Sequence, residues 1–118
     1  MKGYSVVEYL YRDASNYKEY GEILIEGVFS DTDVQRIRKY MYDKGQFFIP
    51  EEIGIQPLQP KLWAKYNGPA EDDHQWHSIE CIHIAKQEDL QLQVWGTKQQ
   101  LIKNFQNNWK HIPEYLKL

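Results

Sequence analysis

Along the first third of the chain, apolar and polar positions alternate and then switch period. Tyr4 to Arg12 alternates loosely and is rich in Val and Tyr, which predicts a β-strand. Asp13 to Tyr20 is polar, with Ser15 and Asn16 as turn formers. Gly21 to Phe29 carries Ile23, Leu24, Ile25, Val28 and Phe29, a second strand. The short link between the two predicts an antiparallel hairpin with a long, decorated loop. At Ser30-Asp31-Thr32-Asp33 the period changes. Ser30 can cap free helix N–H groups, and the acids suit the positive end of the helix dipole. Val34, Ile37 and Met41 then fall on one helical stripe, and Gly45 is the expected stop.

The middle of the chain is punctuated by Pro50, Gly54, Pro57 and Pro60. It predicts a short strand around Phe47–Ile49, an irregular segment, another short strand at Trp63–Tyr66 and a turn at Asn67-Gly68-Pro69. Gln75 to Ala85 alternates as a long strand, with His77, Ile79, Cys81 and His83 on one face. Gln91 to Trp95 is a further strand. Thr97 opens the last helix in a Thr-x-x-Gln capping box with Gln100, and Leu101, Ile102, Phe105 and Trp109 form its apolar stripe. Pro113 closes it. This order of elements predicts a single α+β domain over residues 1–118. Its antiparallel sheet has one central and one C-terminal helix packed on it.

Composition narrows the partners. The 118 residues carry a net charge of −3, and binders of extended duplex DNA or RNA usually present a basic face, so no duplex nucleic acid partner is expected. A small anionic ligand stays open, because a pocket needs only two or three cations. Cys81 is the only cysteine, which excludes an internal disulfide and a cysteine zinc cluster, and fits a reducing, cytoplasmic setting. No apolar run approaches membrane-spanning length, so no membrane partner is expected. Aromatic residues reach 14%, with nine Tyr and four Trp, and such rings favour interfaces and ligand pockets.

The densest chemistry lies in Glu71-Asp72-Asp73-His74-Gln75-Trp76-His77. Acids and imidazoles this close can bind a metal, move a proton or hold ribose hydroxyls, and an indole can stack on a base. As a metal set, His74 and His77 with Asp72 or Asp73 lack zincin spacing, and residues three apart on a strand diverge. As an enzyme, the run offers acid–base work by His74 or His77. No nucleophile elbow accompanies it, and Cys81, with Ile79 and Ile82 close by in a strand pattern, reads as a small buried hydrophobe. Phosphate loops are missing, so any phosphate must be held by discrete cations or a helix N-terminus. No cofactor is implied. As a binding site, Trp76 or Trp95 would stack on a base. Asp72, Asp73 or His74 would contact ribose, and Arg12, Lys18 and Lys103 would approach the phosphates. A third class, a protein-binding inhibitor module, would use the Tyr-rich surface.

Three segments carry a resemblance. They are Tyr11-Arg12-Asp13-Ala14-Ser15-Asn16-Tyr17-Lys18, Phe47-Phe48-Ile49-Pro50-Glu51-Glu52-Ile53-Gly54-Ile55 and Glu71-Asp72-Asp73-His74-Gln75-Trp76-His77. Together and in that order they resemble a family of small bacterial and phage proteins, with the phage anti-Thoeris sponge proteins as similar neighbours. Those proteins capture cyclic ADP-ribose signals made by bacterial immune enzymes, or in some members cyclic oligonucleotides, without cleaving them, and they assemble from dimers. The resemblance implies a non-enzymatic protein that sequesters a small nucleotide signal, as a homo-oligomer built from dimers in the host cell cytoplasm.

Overall fold

The computed structural model describes residues 3–13, 16–66 and 74–116. Strand β1 (Tyr4–Arg12) pairs antiparallel with β2 (Lys18–Glu26) along its whole length, from Tyr4 opposite Glu26 to Arg12 opposite Lys18. Asp13 organises the hairpin loop. Its backbone N–H donates to the Tyr17 carbonyl at 3.0 Å, and its Oδ1 accepts from the Tyr17 N–H at 2.9 Å. The second strand starts earlier than its apolar run, because pairing with β1 carries the polar Lys18–Tyr20 along. It ends before Gly27, whose φ of 119° turns the chain out of the sheet.

Helix α1 (Asp31–Lys39) opens in a capping box. Ser30 Oγ accepts from the Asp33 N–H at 3.1 Å, and Asp33 Oδ2 accepts from the Ser30 N–H at 3.0 Å. It stops short of the expected Gly45. Asp43, Lys44 and Gly45 have φ of 51°, 57° and 90°, so α2 (Tyr42–Gly45) is a tight left-handed turn that breaks the helix. Arg38 Nη1 donates to the Gly45 carbonyl at 3.0 Å and fastens this turn back to α1. The strand expected at Phe47–Ile49 is reduced to isolated bridges, Tyr42 with Phe47 and Phe48 with His77. Two short helices follow, α3 (Pro50–Ile53), ended by a left-handed Gly54, and α4 (Gln59–Tyr66). The strand expected at Trp63–Tyr66 is therefore the end of a helix, which puts Leu58 and Leu62 on its inner side, 1% and 2% exposed.

Strand β3 (His77–Ile84) pairs antiparallel with the other side of β1, and β4 (Val94–Thr97) pairs with β2. The strand order is β3-β1-β2-β4. The chain must cross from one edge of the sheet to the other between Ile84 and Val94, passing through a 3₁₀ turn at Gln87–Gln91. It arrives in the direction of β2, so the β2–β4 pair is parallel and the sheet is mixed rather than wholly antiparallel. Helix α5 (Lys98–Lys110) starts with Thr97 Oγ1 accepting from the Gln100 N–H at 3.1 Å. The Gln100 side chain reaches forward to Asn104 at 2.7 Å, not back to the cap.

The α+β core lies on one face of the sheet. Val7, Tyr9, Tyr11, Ile25 and Ile79 meet Ile37, Met41, Phe48, Leu58, Leu62, Leu101, Ile102 and Phe105 there. Burying each large apolar side chain contributes about 1.5–3 kcal/mol, and the cluster draws on every long element. The opposite face carries Val6, Leu10 and Leu24, all buried, beside exposed Tyr20 and Val94. Glu80 is an extra residue bulged out of β3 opposite the Glu8–Tyr9 step of β1, and it shifts the register by one. His77 and Ile79 share the core face as expected, but Ile82 joins them there, while Cys81 and His83 turn to the other side. Cys81 is consequently exposed, not the buried hydrophobe its neighbours suggested. His83 Nε2 lies 2.9 Å from Glu8 Oε2 on that same face.

Candidate functional site

The acid-imidazole run divides into a buried and an accessible part. Glu71, Asp72 and Asp73 lie outside the described residues. His74 and His77 do not diverge as a straight strand would require, because β3 begins only at His77. Both imidazoles pack on the ring of Tyr11, with centroids at 5.2 and 5.1 Å. Tyr11 itself is 0% exposed, and its hydroxyl accepts from the His74 backbone N–H at 3.2 Å.

His77 is a structural histidine. Its imidazole is 0% exposed. Nε2 accepts from the Leu58 backbone N–H at 3.1 Å, which requires Nδ1 to carry the proton and donate to the Gln75 carbonyl at 3.0 Å. Burial disfavours the charged form and pushes the imidazole from 6.5 down to about 4, more than the Gln75 carbonyl raises it. Both nitrogens are committed, so His77 has no lone pair for a metal and no free position for proton transfer. Among the described residues no group of three His, Cys, Asp or Glu side chains could hold a metal ion.

His74 faces outward. Its Nδ1 accepts from the Trp76 backbone N–H at 3.0 Å, so the neutral ring carries its proton on Nε2, free to donate. Its backbone is fastened by Gln59, whose Nε2 donates to the His74 carbonyl at 3.0 Å. Trp76 stacks edge-on against Tyr42 with centroids 4.9 Å apart, lies 6.3 Å from Phe47, and keeps 36% of its surface exposed. A cleft of about 350 Å³ opens between these rings and the sheet, with Arg12, His74, Trp76 and Ser78 in its wall. Asp13 and Glu80 line it too. Lys18 sits directly opposite Arg12 across the β1–β2 pair, so the two cations are neighbours on one face.

Two other residues expected at a binding site lie elsewhere. Trp95 is on edge strand β4, packs against the core, and donates through Nε1 to the Gly54 carbonyl at 2.7 Å, which holds its ring in place as structure. Lys103 lies on α5 in a second, larger groove of about 520 Å³ between α1 and α5, together with Arg36, Lys98 and Lys110. The cleft residues Phe47, Ser78, Glu80 and Asp13 were not among the binding residues expected from the sequence. Phe47 and Ser78 carry no local signal, since only the bridge of Phe48 to His77 and the β1–β3 register bring them together. None of the described helices is long and apolar enough to cross a membrane.

No family model matches the chain, and no curated protein or solved structure matches it either.

Proposed function

We propose that the protein is a non-catalytic binder that captures a small nucleotide-type ligand in the Arg12–His74–Trp76 cleft and releases it unchanged. The observation that carries this reading is the position of Arg12, in the cleft wall and directly opposite Lys18. Like charges directly opposite one another on a sheet destabilise it, and a bound phosphate would offset that cost. Neither cation has an ion pair among the described residues. The exposed face of Trp76 gives a base something to stack on, and Nε2–H of His74 gives the ligand a donor. Glu80 supplies an acceptor for ribose hydroxyls, the role expected of Asp72 and Asp73. Pockets for small ligands run from about 300 to 1,000 Å³, so a cleft of about 350 Å³ suits one nucleotide unit. A cyclic ADP-ribose or cyclic oligonucleotide would extend beyond its rim.

Retention without turnover fits the commitment of His77, which removes one of the two imidazoles an acid–base or metal mechanism would use. Sequestration works by mass action and needs a low dissociation constant, not a catalytic group. In this reading the chain is a phage anti-defence sponge acting in the host cytoplasm and assembled from dimers, as the resemblance of its three segments implies. The experiment is mass spectrometry of small molecules released by heating protein purified from cells that make cyclic nucleotide signals. An intact nucleotide in stoichiometric amount is expected. Recovery of only cleaved product, or of no nucleotide at all, contradicts the proposal.

A further inference from the structure

The α1–α5 groove is set apart from the cleft by its charge. Helix α5, from Lys98 to Lys110, contains no acid, although the chain as a whole has 17 acidic and 14 basic residues. Its Lys103 and Lys110 face Arg36 of α1 across a groove of about 520 Å³. Two further charges are already spent on each other. Lys98 Nζ donates to Asp33 Oδ2 at 2.9 Å and to the Val28 carbonyl at 3.1 Å. Asp33 also accepts from the Ser30 N–H at 3.0 Å, and that bond, with Lys98, holds its carboxyl below the usual carboxylate range. Asp33 is thus a fixed anion with its own partners. Arg36, Lys103 and Lys110 have no ion pair among the described residues. Gln106 and Asn107 add neutral amide donors to the same wall.

We propose that this groove is a second anion site, for the oligophosphate group of a small molecule, gripped by Arg36, Lys103 and Lys110. The spacing selects the class. Lys103 and Lys110 are seven positions apart, about 10 Å along the axis at about 1.5 Å per residue, so a charge spread over several linked phosphates meets both more readily than one phosphate does. Arg36 brings a planar fork suited to two oxygens of one phosphate. Extended nucleic acid is disfavoured by the net charge of −3. The groove and the cleft share no lining residue, so this inference stands apart from the proposed nucleotide capture.

The test is calorimetric titration of the full chain at low salt with inorganic tripolyphosphate, orthophosphate and ATP. Saturable binding of tripolyphosphate, at least tenfold tighter than orthophosphate, is expected. The double variant Lys103→Ala/Lys110→Ala should weaken it tenfold or more. Lys61→Ala/Lys86→Ala, which removes the same charge from other surfaces, should leave it within twofold. Equal affinity for ATP and tripolyphosphate identifies the phosphate chain alone as the ligand, and tighter ATP binding that also needs Lys103 and Lys110 identifies a nucleoside oligophosphate. The proposal is overturned if tripolyphosphate does not saturate, if orthophosphate binds as well, or if both double variants lose binding alike.

Discussion

Leu58 and His77 are joined by a hydrogen bond of 3.1 Å from the backbone N–H of the first to Nε2 of the second, at the centre of the molecule. The bond ties the entrance to α4 to the first residue of β3. It also fixes the tautomer of His77 and so sends Nδ1–H to Gln75, which sets the course of the chain through His74 and Trp76. A residue that looked like a site residue therefore shapes the site from beneath without touching a ligand.

Stability should depend on pH through His77. Burial pushes this imidazole from 6.5 to about 4, so the unfolded chain binds a proton that the folded chain refuses. The contribution is complete above pH 6.5 and is lost as pH falls through about 4, with a maximum loss on the order of 3 kcal/mol. Urea denaturation at a series of pH values checks it. His77→Leu should flatten this slope and, by leaving the Leu58 N–H unpaired, cost about 1–3 kcal/mol at pH 7.

Gly21 should not tolerate alanine. A Cβ there would lie 2.8 Å from the ring of Tyr9 and from Leu58 Cδ2. Those atoms belong to the packed core and have little room to move, so Gly21→Ala should cost about 1–3 kcal/mol by overpacking. Chemical denaturation checks the value, and a change within experimental error would mean that the core at Tyr9 is loose.

The N-terminus of α1 should be sensitive to its cap. Ser30→Ala removes the acceptor for the Asp33 N–H and should cost about 1 kcal/mol, whereas Ser30→Gly should cost only a few tenths. Thermal unfolding of the two variants distinguishes a capping effect from simple loss of a side chain.

Parts of this fold are legible in the sequence because the signals are local. The alternation of Tyr4–Arg12, the Ser30 cap and the apolar stripe of α5 each depend on neighbours within a turn or a strand. The misassigned parts depend on distant contacts. Trp63–Tyr66 looks strand-like in a segment full of Pro, yet Pro60 sits in the first turn of α4, where its missing N–H costs nothing. The faces of β3 are exchanged at Glu80 because that residue bulges out of the pairing with β1, which no pattern within β3 announces. The candidate site was half visible. His74, Trp76 and Arg12 do converge, but the separation of Lys103 from them and the burial of His77 follow from how α4 and α5 dock. The acid-free run of α5 was in plain view as a charge pattern, and only the approach of Arg36 makes it a groove.

Trp76 should report ligand directly. Its ring is partly exposed against Tyr42 in the cleft wall, whereas Trp95 is held by Gly54. A bound base should alter the Trp76 emission, and Trp76→Ala should abolish that change while lowering affinity by about 1–3 kcal/mol, the worth of one aromatic stacking contact. Fluorescence titration of the two proteins is the check.

Capture of a nucleotide by Arg12 is tested most directly by calorimetric titration of the wild type and Arg12→Ala with cyclic ADP-ribose, a cyclic dinucleotide and adenosine monophosphate. At least one ligand should saturate the cleft, and Arg12→Ala should weaken it about ten- to a hundredfold, the worth of one charge-assisted hydrogen bond, with Lys61→Ala unchanged. Absence of saturable binding by all three, or equal affinity in wild type and Arg12→Ala, would contradict it.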